Sequence, residues 1–154
     1  MDPARSTAVL LRLWRRLCRL SVPRTRTRSH LDLGRWGEKL AARHLRRVHG
    51  FRILYRNFRS KFGGEIDLVC RDRKANTLVF VEVKTRASDA FGAPRFAVTW
   101  AKQRRIIKGA RAWLRLLNSP EVLYRFDVVE VVVQPKPEVR LIRNAFQVPD
   151  DIYH

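Results

Sequence analysis

Cysteine is scarce in this 154-residue chain, with two residues, Cys18 and Cys70, far apart and in no pairing pattern. That excludes a disulfide-stapled scaffold, and free thiols in a reducing cytoplasm are expected. The four histidines fall at no ligand spacing, which argues against a zinc site. Uninterrupted apolar runs of membrane-span length are missing, so stable insertion into a bilayer is not expected. Arginines interrupt the apolar stretch near the N-terminus and no small-residue cleavage site follows it, against a signal peptide. The strongest shortage is of acid: 14 Asp and Glu stand against 33 Lys and Arg, a net charge of +19. An excess of that size points to a polyanionic partner or an anionic surface. It is not confined to a tail. Residues 1–31 hold eight Arg against the single acid Asp2, which is +7, so +12 remains on the rest.

The length suits one domain with a real core, and 45% hydrophobic content fits a globular protein. No internal repeat is present. Residues 1–30 form a basic extension. Within it Leu10, Leu13, Trp14, Leu17 and Leu20 fall at helical spacing opposite Arg12, Arg15, Arg16 and Arg19. Two readings fit this extension: a disordered or misassigned leader, or a helix that touches phosphates or a lipid surface. The domain proper is expected over 31–148, with a short tail at 149–154. Asp32 is the expected N-cap of a helix running to about His49, stopped by Gly50 and burying an arc of Leu33, Trp36, Leu40, His44 and Val48. A strand over Phe51–Arg59 and a Gly63-Gly64 turn follow. Thr99 is the expected N-cap of a second helix to about Leu117, with Ile106, Ile107, Ala110, Trp113, Leu114 and Leu117 inward. Its outer side carries Arg104, Lys108, Arg111 and Arg115, and no acid lies between Lys102 and Arg115. A solvated face or a phosphate-binding face are the two readings, the second favoured. Gln103 falls inside the apolar arc, where a buried amide needs partners. Arg125–Val133 is a continuous apolar strand, and Val139–Phe146 an exposed last one. Asp127 is expected to brace the sheet or bond a basic neighbour.

The centre of the chain is Gly63–Arg86, GGEIDLVCRDRKANTLVFVEVKTR. Two β-rich runs, Glu65–Cys70 and Leu78–Thr85, flank a polar turn, which is a hairpin signal. With the turn centred between Lys74 and Ala75, Asp67 faces Glu82 and Glu65 faces Lys84, at roughly 5 Å between Cβ atoms. Two half-buried carboxylates that close repel by about 4 kcal/mol at an effective dielectric near 20. A divalent cation or a shared proton would offset that repulsion, and hard oxygen ligands favour Mg²⁺ or Mn²⁺. A plain Glu65–Lys84 ion pair on a solvated sheet face is the bland alternative. A valine-rich strand with Glu-x-Lys in its middle argues against it.

Asp67 followed by Glu82-Val83-Lys84 resembles the PD-(D/E)XK nuclease signature. GGEIDLV followed by VFVEVKTR is similar, more closely, to the YraN-like family of predicted endonucleases related to archaeal Holliday-junction resolvases. The resemblance covers roughly Leu33 to Val133, with Ile66 where the signature has proline. It implies an α/β, restriction-endonuclease-like αβββαβ core, a mixed sheet flanked by helices. It further implies Mg²⁺- or Mn²⁺-dependent cleavage of nucleic acid, with DNA favoured over RNA. The sequence leaves open which of the two is cut and whether the target is branched, single-stranded or duplex. Junction resolvases act as dimers, though no homodimer seam is legible here. Asp67, Glu82 and the Val83 carbonyl would then hold the metal, and Lys84 would position or activate water. GRWGEKLAARHL resembles the family's first helix, so Glu38 would join the metal, while Gln103 matches a Lys-Gln pair after the ExK strand. Glu65 would be an outer-shell group or a brake on Lys84. Lys102, Arg104, Arg105, Lys108, Arg111 and Arg86 are the expected nucleic-acid contacts. The alternative is a non-catalytic nucleic-acid-binding protein that keeps the fold.

Overall fold

The computed structural model describes residues 30–88, 98–117 and 121–149. The basic leader with Cys18, the segments 89–97 and 118–120, and the last residues lie outside them. Seven elements follow in order: α1 (His30–Val48), β1 (Arg52–Arg59), β2 (Glu65–Asp72), β3 (Thr77–Ser88), α2 (Trp100–Leu117), β4 (Tyr124–Gln134) and β5 (Glu138–Phe146). The strands form one mixed sheet in the order β1-β2-β3-β4-β5. All neighbours are antiparallel except β3 and β4, which are parallel. A parallel pair cannot be joined by a tight turn, and α2 supplies the crossover.

The sheet has a core on each face. On one, Leu40, Ala41 and Leu45 of α1 pack on Leu68, Cys70, Val79, Val81, Val129 and Val131. On the other, Ile106, Ile107 and Ala110 of α2 pack on Val69, Leu78, Phe80, Phe126 and Val128. Side chains alternate along a strand, so the odd-numbered valines of β3 face α1 and the even-numbered positions face α2. The inward arc of α1 keeps Leu40 and His44 of the expected one, with Trp36 packed against the core; Ala41, Ala42 and Leu45 widen it, whereas Val48 is exposed. Spacing alone cannot tell which of two adjacent apolar rows meets the sheet. Gly50 ends α1 in the left-handed region, at φ 71°. Asp32 lies in the first turn of α1 and not at its cap, because the helix begins two residues earlier. Thr99 caps α2 as expected: its carbonyl accepts from Gln103 N–H at 2.9 Å and its hydroxyl from Lys102 N–H at 3.4 Å.

The hairpin register is the expected one from Leu68↔Val81 to Asp72↔Thr77. Asp72 sets its turn. Its buried carboxylate accepts the N–H groups of Lys74 and Ala75 at 3.1 and 3.2 Å, and Arg125 Nη2 at 3.0 Å. Arg125 Nε in turn binds both oxygens of Asp127, which also accepts the Asn144 N–H at 3.1 Å. The basic partner expected for Asp127 is therefore Arg125, and the pair ties β4 to the turn and to β5. No described helix is long and apolar enough to cross a membrane.

Candidate active site

Where β2 and β3 part, the chain places its carboxylates. β2 stays paired with β1 down to Arg59↔Glu65, but its ladder with β3 stops at Leu68↔Val81. Ile66 packs in the α2 core and Leu68 in the α1 core. Residues two apart on a regular strand share a face, so the strand changes phase at Asp67. There the Asp67 carboxylate takes the position of a ladder carbonyl: Oδ2 accepts the Val83 N–H at 2.7 Å. The side chain is thus fixed by backbone. The expected Asp67–Glu82 pairing survives as proximity, while Glu65 and Lys84 do not face each other, because the strands have already separated.

The glycine pair before β2 explains how α2 reaches this opening. Gly63 is at φ 77°, a conformation side chains disfavour. Gly64 has no room for a side chain, since a Cβ there would stand 2.3 Å from the Gly109 N atom of α2. That close approach sets the first turns of α2 against Glu65. Lys102 Nζ then lies 2.7 Å from Glu65 Oε1 and 3.2 Å from Glu82 Oε2. Lys84 Nζ is 3.7 Å from the other oxygen, Glu82 Oε1.

Glu82 is 4% exposed, and its Oε2 accepts no hydrogen bond among the described residues despite the nearby ammonium. Burial pushes its carboxyl up to about 7, the Asp67 charge adds to the rise, and Lys102 and Lys84 oppose it. Glu65 moves the other way: its hydrogen bond from Lys102 holds it below the usual carboxylate range. Burial disfavours the Lys102 charge, but the bond to Glu65 and the charges of Glu82 and Asp67 outweigh it and raise its pKa. Two neighbouring carboxyls pushed apart in pKa inside an opening mark a candidate functional site.

Other expected residues are placed elsewhere. Glu38 Oε2 accepts from Asn57 Nδ2 of β1 at 3.0 Å. Its helix lies on the opposite face of the sheet from Glu82, with Gly37 against Thr85. Among the described residues no three acidic, His or Cys side chains converge as a cation-binding group. Gln103 donates its Nε2 to the Val98 carbonyl at 2.8 Å, a bond that closes the start of α2. Lys102 is half-buried, with its ammonium in the acidic cluster. Arg105 is exposed yet within 3.6 Å of Glu65. Arg104 and Lys108 are exposed and Arg111 is half-buried. Arg86 Nε stands 3.3 Å from Glu130 Oε1.

Glu130 is a site residue that pattern reading does not single out. It is 3% exposed, lies on the Lys84 side of β4 and forms one row across three strands, Lys84↔Glu130↔Arg140. Its Oε2 also lacks a hydrogen bond, with Arg140 Nη1 at 3.9 Å. Its signal in the sequence is that it is the one acid within the apolar stretch VVEVVV.

Comparison with known proteins gives a consistent result. A family model described as "Uncharacterised protein family UPF0102" matches residues 37–131. A UPF0102 protein of Geobacter metallireducens is 48% identical over 117 residues, which is 75% of this chain and 93% of the relative. One from Caldicellulosiruptor saccharolyticus is 45% identical over 118 residues, covering 75% of this chain and 97% of the relative. One from Rhodococcus opacus is 44% identical over 119 residues, covering 76% and 98%.

Proposed function

This chain belongs to the uncharacterised protein family UPF0102, the YraN-like family of the resemblance above, and we propose that it is a metal-dependent endonuclease of the PD-(D/E)XK type. The observation that carries the reading is Glu82: a buried carboxylate with an unbonded oxygen, raised to about 7, beside Asp67 and within 3.7 Å of Lys84. A buried carboxylate whose hydrogen bonding is incomplete, offset only by the nearby Lys102 and Lys84 ammoniums, is a candidate to take up a cation.

The residues fit a hydrated Mg²⁺ or Mn²⁺. Mg²⁺ keeps several waters and is commonly held by one or two carboxylates, which is the donor set that Asp67 and Glu82 offer. The Val83 carbonyl is a third candidate donor. Such a cation supplies Lewis-acid chemistry, making water more acidic and offsetting charge on a phosphodiester.

The chain's own groups do the rest. Asp67 is held through Oδ2 by the Val83 N–H, which leaves its other oxygen as the one to offer a metal. Glu82, once ionised, completes the negative pocket. Lys84 is 39% exposed at its side chain and 3.7 Å from Glu82 Oε1, so its ammonium is open to a phosphate beside the carboxylate. It positions the attacking water and stabilises charge developing on the phosphate. Arg104 and Lys108 on the outer side of α2 bind backbone phosphates beside the opening.

A second reading, a non-catalytic nucleic-acid-binding protein with the same fold, is favoured by the Lys102 contacts, which neutralise the acids internally. A cleavage panel over branched, single-stranded and duplex DNA, with and without Mg²⁺ or Mn²⁺, separates the two. Metal-dependent cleavage that Asp67→Asn abolishes supports the nuclease. Binding without cleavage on every substrate and metal leaves the binding protein.

A further inference from the structure

Lys102 makes an unusual set of contacts. One ammonium, half-buried on α2, bridges Glu65 Oε1 at 2.7 Å and Glu82 Oε2 at 3.2 Å, and the second of these oxygens accepts no hydrogen bond. The Glu65 contact is a short hydrogen bond at 2.7 Å, whereas the Glu82 contact is a longer ion pair at 3.2 Å. Of the two, the Glu82 contact is the weaker hold on the ammonium. A cation of higher charge and freer geometry binds the same oxygen more strongly.

We propose that Lys102 is the resident counter-cation of this site, so that metal binding is an exchange in which a dication takes Glu82 from Lys102. Glu65, and not Glu38, is the outer acid that faces the exchanged ion. The inference rests on the metal-dependent reading above and adds to it the residue that the metal must displace. Geometry selects Glu65, because the ammonium that touches Glu82 touches Glu65 as well, whereas Glu38 sits across the sheet bonded to Asn57. The exchange moves no covalent bond. Lys102 keeps its proton and its bond to Glu65, and turns away from Glu82 with the Glu65 side chain as its tether.

This arrangement has two consequences. Without metal, Lys102 holds Glu65 and Glu82 together against their mutual repulsion and that of Asp67, so the site keeps its shape. With metal, the ammonium is a nearby like charge, so affinity is set below what the carboxylates alone would give.

Calorimetric titration of Mg²⁺ and Mn²⁺ into the full chain, with thermal melting in the presence and absence of each ion, tests the exchange. Lys102→Met should bind metal at least about tenfold more tightly than the parent, since a competing charge is gone. It should also melt lower without metal and recover when metal is added. Equal or weaker affinity in a parent-like, metal-binding background overturns the exchange and leaves the nuclease reading standing. Loss of binding in parent and variant alike overturns both. A second pair of variants keeps the proposal open to refutation if Lys102→Met does not fold. Glu65→Gln should lose at least about tenfold in metal affinity, with Glu38→Gln within about twofold of the parent. The reverse order would return the outer position to Glu38.

Discussion

Asp67 Oδ2 accepts the Val83 N–H at 2.7 Å, so a side chain of β2 closes the backbone hydrogen bond that β2 itself no longer reaches. The link gives Asp67 a structural role beside the one proposed for it. Its two roles separate by substitution. Asp67→Asn keeps an oxygen that accepts from Val83 and loses the charge, whereas Asp67→Ala leaves that N–H without its partner. A buried group so orphaned costs about 1–3 kcal/mol. Urea unfolding should therefore show the Ala variant less stable than the Asn variant by about that amount. Both should fail to cleave with Mg²⁺. The Asn variant should bind DNA without metal at least as tightly as the parent, because one repelling charge is removed.

Glu82 gives a pH dependence with a definite sign. Its carboxyl is raised from the ordinary 4.5 to about 7 in the folded protein, chiefly by burial and then by Asp67. The folded state thus holds this proton more tightly than the unfolded chain does. Metal-free stability should be highest below about pH 4.5 as far as this group is concerned, fall as pH rises from there through 7, and level off above. The full effect is on the order of 3 kcal/mol at 1.36 kcal/mol per pKa unit. Glu82→Gln should flatten that slope and raise the metal-free melting temperature at pH 8. Metal binding needs the ionised form, so Mg²⁺ affinity should rise with pH through about 7. A parent and a Gln variant with identical stability profiles from pH 5 to 8 would contradict the burial of an acid here.

The hairpin register is legible in the sequence because β-period alternation and a polar turn over-determine it, and Leu68↔Val81 through Asp72↔Thr77 follow from them. Helix and strand positions are legible for the same reason, to within a few residues at each end. The site is legible only in part. Asp67, Glu82 and Lys84 come together because they lie on neighbouring strands, where sequence spacing translates directly into distance. The roles of Lys102 and Glu130 do not emerge, since each meets its partners through packing between distant segments. Lys102 is delivered to Glu65 by the Gly64–Gly109 contact, and no local pattern encodes a helix–strand approach. Glu38 is the reverse case: a motif match singles it out, and the structure bonds it to Asn57 of β1.

Gly64 should therefore be sensitive although it has no side chain of its own. A Cβ there meets the backbone of Gly109 at 2.3 Å, with the Lys108 carbonyl carbon at 2.7 Å, and neither can rotate away. Gly64→Ala must push α2 outward, at about 1–3 kcal/mol by analogy with overpacked cores. The same displacement takes Lys102 away from Glu65. Thermal melting should fall, and the Glu65 carboxyl should titrate closer to its ordinary value, as followed by carboxyl-carbon NMR. A parent-like Glu65 titration in a destabilised Gly64→Ala chain would show that the close approach carries stability without positioning the lysine.

The basic surface yields the last prediction, which depends on choosing cations with no second duty. Arg86 is a poor probe, because it stands 3.3 Å from buried Glu130, and its removal weakens the pairing of that acid as well as any hold on a phosphate. Arg105 is within 3.6 Å of Glu65, and Arg111 is half-buried with interactions of its own. Arg104 and Lys108 are exposed on the outer side of α2, away from its buried row of Ile106, Ile107 and Ala110. Replacing both with Gln should leave the melting temperature within a degree or two, since surface changes usually stay within about 0.5 kcal/mol. Every phosphate that these two side chains neutralise adds about 0.9 to the slope of log affinity against log salt on duplex DNA, and less on single strands. The double variant should be shallower by that amount for each. Anisotropy titrations of labelled DNA at several salt concentrations measure the slope directly. The weakening should be alike for unrelated sequences, because binding to phosphates carries no base information. An unchanged slope in a normally folded double variant would make this side of α2 an ordinary solvated face and move the nucleic-acid path elsewhere on the protein.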